Sequence, residues 1–244
     1  KVKQLAPTMP VGSTELRPHR LKVGLYDITG DKLSRRKNVE LDVAGALTEV
    51  TELAGEKTAD LVLINDGDQS YAKLRFDDRS IATMKSHLGK LDDSLSRGLI
   101  WASLWDSTRD GELAASDYVT IALNALAGET DIATVTITVM QIDTAIWSYA
   151  SDANREKLRE QAANAFEKFL DNAAAGSDHQ LQYAKSFADF AYTPAQFEKI
   201  KAILSGSING LTVDADLRWF VFICGVKRGI FTAADIETEA AKDM

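Results

Sequence analysis

The chain has 244 residues, 45% of them hydrophobic and 26% charged, with a formal net charge of −8. That is room for one large domain or two small ones of ordinary globular composition, and no stretch approaches the ~18 consecutive apolar residues of a membrane span. Residues 1–80 hold 13 basic and 13 acidic side chains, so residues 81–244 carry the whole acidic excess. No basic cluster exceeds Arg35-Arg36-Lys37, which argues against nucleic acid as a partner.

The opening KVKQLAPTMP lacks an initiator Met and a long apolar run, so we expect neither a signal peptide nor a natural start, but a piece of a longer polypeptide. Two regimes follow, with a boundary near Asp77-Asp78. Residues 1–77 show period-2 patterning and three of the four prolines; residues 78–244 show helical spacing. Leu21, Val23 and Leu25 alternate with Lys22, Gly24 and Tyr26; Val39, Leu41 and Val43 alternate with Asn38, Glu40 and Asp42. Both read as strands, joined by a turn at Thr29-Gly30-Asp31. Residues 47–53 are a weaker strand. Leu61-Val62-Leu63-Ile64 reads as a strand covered on both faces. Asn65-Asp66-Gly67-Asp68 predicts a hairpin turn into a further strand over residues 71–76. About six short strands make the first part a small antiparallel β-sandwich.

The second part reads as eight or nine helices. Ile81, Met84 and Leu88 stripe the first; Leu95, Leu99 and Ala102 stripe the next; Ser116 is the expected cap of a third. The β-branched run over residues 134–139 favours a strand locally, yet Ile132, Val135, Val139, Ile142 and Ile146 keep helical spacing, so it reads as helix. Ser151 and Ser177 start two more helices, and Asp214 opens the one that Gly229 ends. Thr193-Pro194-Ala195-Gln196 combines cap, Pro at the first position and capping box; Thr232 with Asp235 is a weaker version. The fold class is therefore α+β in two segregated parts: a sandwich domain, residues 1–77, and an all-α, HEAT-like solenoid of helix pairs, residues 78–244, with its end unfinished.

Chemistry-bearing residues are sparse. His19, His87 and His179 form no close pair and none is followed by Glu, so zinc-peptidase chemistry has no ligand set here. Asp77-Asp78 and Asp92-Asp93 fall at helix starts, where acidic side chains favour the dipole. The Asn65–Asp68 stretch lacks the remaining ligands of a calcium loop. Residues 205–210 have neither the Lys of a phosphate loop nor the strand of a nucleophile elbow. The lone Cys224 reads as a buried small hydrophobe. The densest constellation is Arg97, Trp101, Trp105 and Arg109, either an Arg–Trp packing cluster or a basic, aromatic wall facing a peptide carboxylate; Arg218 and Trp219 are similar.

Linked segments carry a resemblance: Arg17-Pro18-His19-Arg20, Gly24-Leu25-Tyr26-Asp27, Val39-Glu40-Leu41-Asp42, LVLINDGD (residues 61–68), YAKLRFDDRS (71–80), LSRGLIWASLWDSTRDGELAASDYV (95–119) and DADLRW (214–219). Over nearly its whole length the chain resembles the C-terminal region of the bacterial aminopeptidase N family of gluzincin zinc metallopeptidases. The resemblance implies a four-part enzyme whose last two parts are a β-sandwich and a helical domain. It implies a parent that removes N-terminal residues from peptides with a zinc ion, held by HExxH and neighbouring motifs upstream of this chain. No catalytic or metal residue carries over. The implied partners are the catalytic domain of the same polypeptide and its peptide substrate, with no nucleic acid and no membrane; the implied location is the cytoplasm. The implied role is to enclose the cavity and buttress the catalytic domain, and the chain alone is expected to be inactive. Two readings compete: a free-standing helical-repeat adaptor, and a carbohydrate-binding sandwich for which Tyr26 and Tyr71 are thin support.

Overall fold

The computed structural model describes residues 1–7 and 11–243; residues 8–10, inside the opening segment discussed above, and residue 244 lie outside the described residues. Small antiparallel sheets precede nine α-helices among the described residues, an α+β arrangement. The chain forms two compact units, Lys1–Gly128 and Glu129–Met244.

The first unit is organised by strand β2 (His19–Thr29), which pairs antiparallel with β3 (Lys32–Val43) on one side. Gly30 (φ 63°) makes the tight turn between them. On its other side β2 pairs with β5 (Leu61–Ile64), Val23 opposite Ile64. The short β1 (Val2–Lys3) and β4 (Leu47–Thr48) form a separate two-stranded ribbon. Val2, Leu21, Val23, Leu41 and Val43 share one core, with Val39, Val62 and Ile64 against it. A register shift between Leu25 and Tyr26 inserts an extra β3 residue, because Leu25 faces Lys37 and Tyr26 faces Arg35. Leu61 and Leu63, the alternate β5 positions, are fully buried. Helices α1 (Asp78–His87), α2 (Ser94–Arg109) and α3 (Ala115–Leu126) complete the unit. Ser80 Oγ accepts from Val62 N–H at 3.0 Å and Thr83 Oγ1 donates to the Asp60 carbonyl at 2.7 Å, tying α1 to β5.

Four expectations fail here. Residues 71–76 form no strand: Asn65 clasps Ser70 through both amide atoms (2.9 and 2.7 Å), and Lys73 and Arg75 are drawn to Asp110. Alternation alone could not see these tertiary partners. The turn at Asn65–Asp68 does form, with Asn65, Gly67 and Asp68 at positive φ, but it opens a loop rather than a hairpin. On α2 the expected stripe points outward: Leu95 is 52% exposed and Ala102 is exposed, while Ser96, Ile100, Leu104 and Ser107 are buried. Ser103 and Ser107 can be buried because each hydroxyl returns to the carbonyl four residues earlier (2.7 and 2.8 Å). At α3 the cap is Ala114, and Ser116 lies inside the first turn.

The second unit is helical: α4 (Ile132–Thr144) running into a π-helical turn at Ala145–Tyr149, then α5 (Asp152–Asn172), α6 (Asp178–Phe190), α7 (Pro194–Leu204), α8 (Ala215–Lys227) and α9 (Ala233–Ala240). The β-branched run is helix as its spacing predicted, with Val135, Val139, Ile142 and Ile146 buried. Tertiary burial of that stripe overrides the local β preference. The capping boxes at Thr193/Gln196 and Thr232/Asp235 are both formed. Phe166, Phe187, Phe190 and Leu158 fill the core between α5 and α6. Gly225 is required where Phe231 folds back, since a Cβ there would lie 2.3 Å from its ring.

Candidate functional site

The six flagged side chains fall in two separate units and do not form one cluster. Arg97 is only 8% exposed and donates to the carbonyls of Leu91 (2.6 Å) and Asp92 (3.0 Å), which pins the turn before α2. Trp101 is buried, Trp105 is half-buried with its ring 5.2 Å from that of Tyr118, and Arg109 is exposed at the end of α2. Burial pushes the Tyr118 hydroxyl far up from its ordinary pKa. In the second unit Arg218 pairs with Glu239 and Asp243, and the Trp219 indole donates to Asp243. These contacts fasten the last helix to α8.

The polar centre of the first unit is a residue read from sequence only as a turn. Asp66 is 1% exposed. It accepts from the Tyr26 hydroxyl at 2.9 Å and from Arg35 Nη1 at 3.0 and 3.2 Å, with Ser96 Oγ 3.4 Å away. Ser96 also donates to Asp93 at 2.9 Å, which ties the sheet to the start of α2. Gly24 is obligatory beneath this knot, because a Cβ there would stand 2.4 Å from Asp66 Oδ2. Burial raises the Tyr26 pKa to about 12, and the Asp66 carboxylate raises that of Arg35. A buried carboxylate held by the Tyr26 hydroxyl and the Arg35 guanidinium is positioned for structure. The available signal was the apolar run before Asp66, which carries the carboxylate into the core.

In the second unit, arginines close helix ends. Arg228 donates to the carbonyls of Ala191 (2.9 Å) and Asp189, and Arg159 to those of Phe190 and Ala191 (3.3 Å each). Both satisfy the orphan carbonyls of α6. Burial, then the Arg228 charge, lowers the pKa of Arg159. Cys224 is 2% exposed, and burial raises its pKa to about 11, so it is no ready nucleophile.

The three histidines stand on different elements with their own partners: His19 with Ser70 Oγ (2.6 Å), His87 with Ser86 Oγ (2.8 Å), His179 with the Glu129 carbonyl (3.2 Å). His87 and His179 are half-buried. Among the described residues no group of three or more His, Cys, Asp or Glu could hold a metal ion, so these residues do not fit a zinc centre. A cavity of about 140 Å³ lined by Met84, Leu88, Asn124 and Gly128 is smaller than a peptide requires. Among the described residues no helix is long and apolar enough to cross a membrane.

With this geometry in place, comparison with known proteins is informative. Over 248 aligned residues, 99% of this chain, it is 43% identical to aminopeptidase N of Streptomyces lividans, and it spans 29% of that protein's length. Residues 61–243 match the ERAP1-like C-terminal domain, more than half of the chain. The chain belongs to the ERAP1-like C-terminal domain family.

Proposed function

We propose that this chain is the non-catalytic C-terminal region of a cytoplasmic, zinc-dependent aminopeptidase, and that it encloses the substrate cavity and buttresses the catalytic domain. The observation that carries this is 43% identity across the chain to less than a third of an aminopeptidase N. The sheet part, residues 1–77, and the helical part, residues 78–244, would be the enzyme's last two parts. Helices α1–α3 are built onto the sheet within one compact unit, which suits a strut. Zinc would be held upstream, since no ligand set here fits it. Of the flagged residues, Trp105, Arg109, Arg218 and Trp219 remain able to line a cavity or junction. Arg97 and Trp101 act by holding the shape of α2.

The test is reconstitution. The chain alone, with or without added zinc, should not hydrolyse an aminoacyl chromogenic substrate. The polypeptide encoded by the full open reading frame should do so, and chelation should abolish that turnover. Chelator-sensitive turnover by the chain alone would defeat the proposal. So would a start site immediately before Lys1, which would leave the helical-repeat adaptor in its place.

A further inference from the structure

Asn209 is the one asparagine of the chain that precedes a glycine, and it sits in the loop between α7 and α8. An Asn-Gly pair can close on itself: the glycine nitrogen completes a five-membered ring with the side-chain amide carbon, and glycine has no Cβ to hinder the closure. What decides the matter is whether the two groups are held. Asn209 and Gly210 are both exposed. Among the described residues neither the Asn209 side-chain amide nor the Gly210 N–H has a hydrogen-bond partner.

The chain's two Asp-Gly pairs have the same ring chemistry and are restrained. Asp66 is buried and held by Tyr26 and Arg35. Asp110 is bound by Lys73 at 2.8 Å and by Arg75, and the Lys73 hydrogen bond foremost holds its carboxyl below the usual range, in the ionised form that resists attack. The Gly111 N–H, the attacking group there, donates to the Thr108 carbonyl at 3.1 Å.

The surroundings of Asn209 make its backbone matter. The Gln180 side chain, 3% exposed, brackets two loops: its Oε1 accepts from the Gly176 N–H at 2.8 Å and its Nε2 donates to the Asn209 carbonyl at 2.9 Å. Gly210, at φ 78°, packs so closely on the loop before α6 that a Cβ would stand 2.5 Å from that of Ala175.

We propose that Asn209 is a site of spontaneous deamidation, and that isoaspartate formed there releases the α7–α8 loop from Gln180. The Gly210 nitrogen gives its proton to solvent base and bonds to Asn209 Cγ. The Cγ–Nδ2 bond then breaks, and the amide nitrogen leaves as ammonia with a proton from solvent. Water opens the resulting succinimide. Attack at Cγ breaks the new C–N bond and leaves aspartate; attack at the Asn209 backbone carbonyl carbon breaks the original peptide bond and leaves isoaspartate. One water is consumed and one ammonia released, with no oxidant or reductant. In isoaspartate the carbonyl that Gln180 held leaves the main chain as a carboxylate, and the backbone gains a methylene. The longer loop cannot keep both the Gly210 packing and the Gln180 bond, so a buried amide loses its partner.

The test ages the purified chain in mildly alkaline and in mildly acidic buffer and maps it with trypsin. Fragment 202–218 holds Asn209 as its sole asparagine. It should gain about 1 Da, ahead of every other asparagine-bearing fragment and faster in alkali, and resolve into aspartate and isoaspartate forms. Asn209→Gln changes an exposed side chain with no partner, so it should fold normally; its fragment should stay unchanged, because a six-membered ring closes far more slowly. The isoaspartate form of the whole chain, separated by ion exchange on its added charge, should melt about 2–4 °C lower than fresh protein and exchange its Gly176 amide faster. No mass gain in this fragment, earlier conversion of another asparagine, or equal conversion in Asn209→Gln would overturn the site. Conversion to isoaspartate with melting and Gly176 exchange unchanged would overturn the release from Gln180.

Discussion

The two compact units treat their half-hidden carboxylates in opposite ways. In the first, Asp66 is fully enclosed and met by Tyr26 and Arg35, with Ser96 beside it. In the second, Asp143 and Asp189 are only half-covered: Asp143 is met by a Trp147 hydrogen bond and the Lys227 charge, and Asp189 by Cys224 Sγ at 3.9 Å, with no ion pair within 4.0 Å among the described residues. A paired buried charge is costly to remove, because its partners stay behind without it; an unpaired one is costly to keep. The contrast separates a carboxylate that holds a fold together from carboxylates left half-covered at its surface.

The largest expected effect breaks the first half of the contrast. Asp66→Ala should destabilise the first unit by about 3 kcal/mol, the low end for breaking a buried pair because Arg35 is partly exposed. Native-state hydrogen exchange should show faster opening of β2 and β5 amides with α5 and α6 unchanged; a uniform loss over both units would break the comparison. Next, Gly24→Ala should cost about 2 kcal/mol by overpacking against Asp66 and Tyr26, read as a lower urea midpoint at unchanged slope. If it is neutral, the knot is looser than its distances imply.

Thr193→Ala removes one arm of the α7 capping box and should cost about 1 kcal/mol in the second unit only. It calibrates what a purely local signal contributes. The smallest effect has the opposite sign. The raised Asp143 pKa means that the folded state holds its proton more tightly than the unfolded chain. The charged form therefore destabilises the fold at neutral pH, and the penalty fades as pH falls through the raised folded value. Asp143→Asn should accordingly raise stability at pH 7 by a few tenths of a kcal/mol, with the gain vanishing in acid. Thermal melts at pH 7 and pH 4 check both signs, and a loss of stability at pH 7 would mean that Asp143 is a structural residue like Asp66.

How legible each part was follows from the range of the physics. The alternation of β2 and β3, the capping boxes and the helical spacing through the β-branched run of α4 all depend on neighbours within a few residues. The Asp66 knot joins residues 40, 31 and 30 positions apart in sequence, so the same Asn-Asp-Gly-Asp string read only as a turn. On α2 the inward face holds Ser96, Ser103 and Ser107, and hydropathy counts a serine as polar although the Ser103 and Ser107 hydroxyls close on their own helix and that of Ser96 on Asp93. Trp101 and Arg97 stood out by residue type, but type alone does not say which way a helix is rolled.

Local order along this chain, from the strand pair to the helix starts and stops, was set by sequence because propensity, capping and periodicity act through adjacent residues. Which face of each helix is buried and the pairing of Asp66 were decided only by tertiary structure. Packing is a competition among all surfaces at once, and a charge acquires its meaning from the partners that packing brings to it.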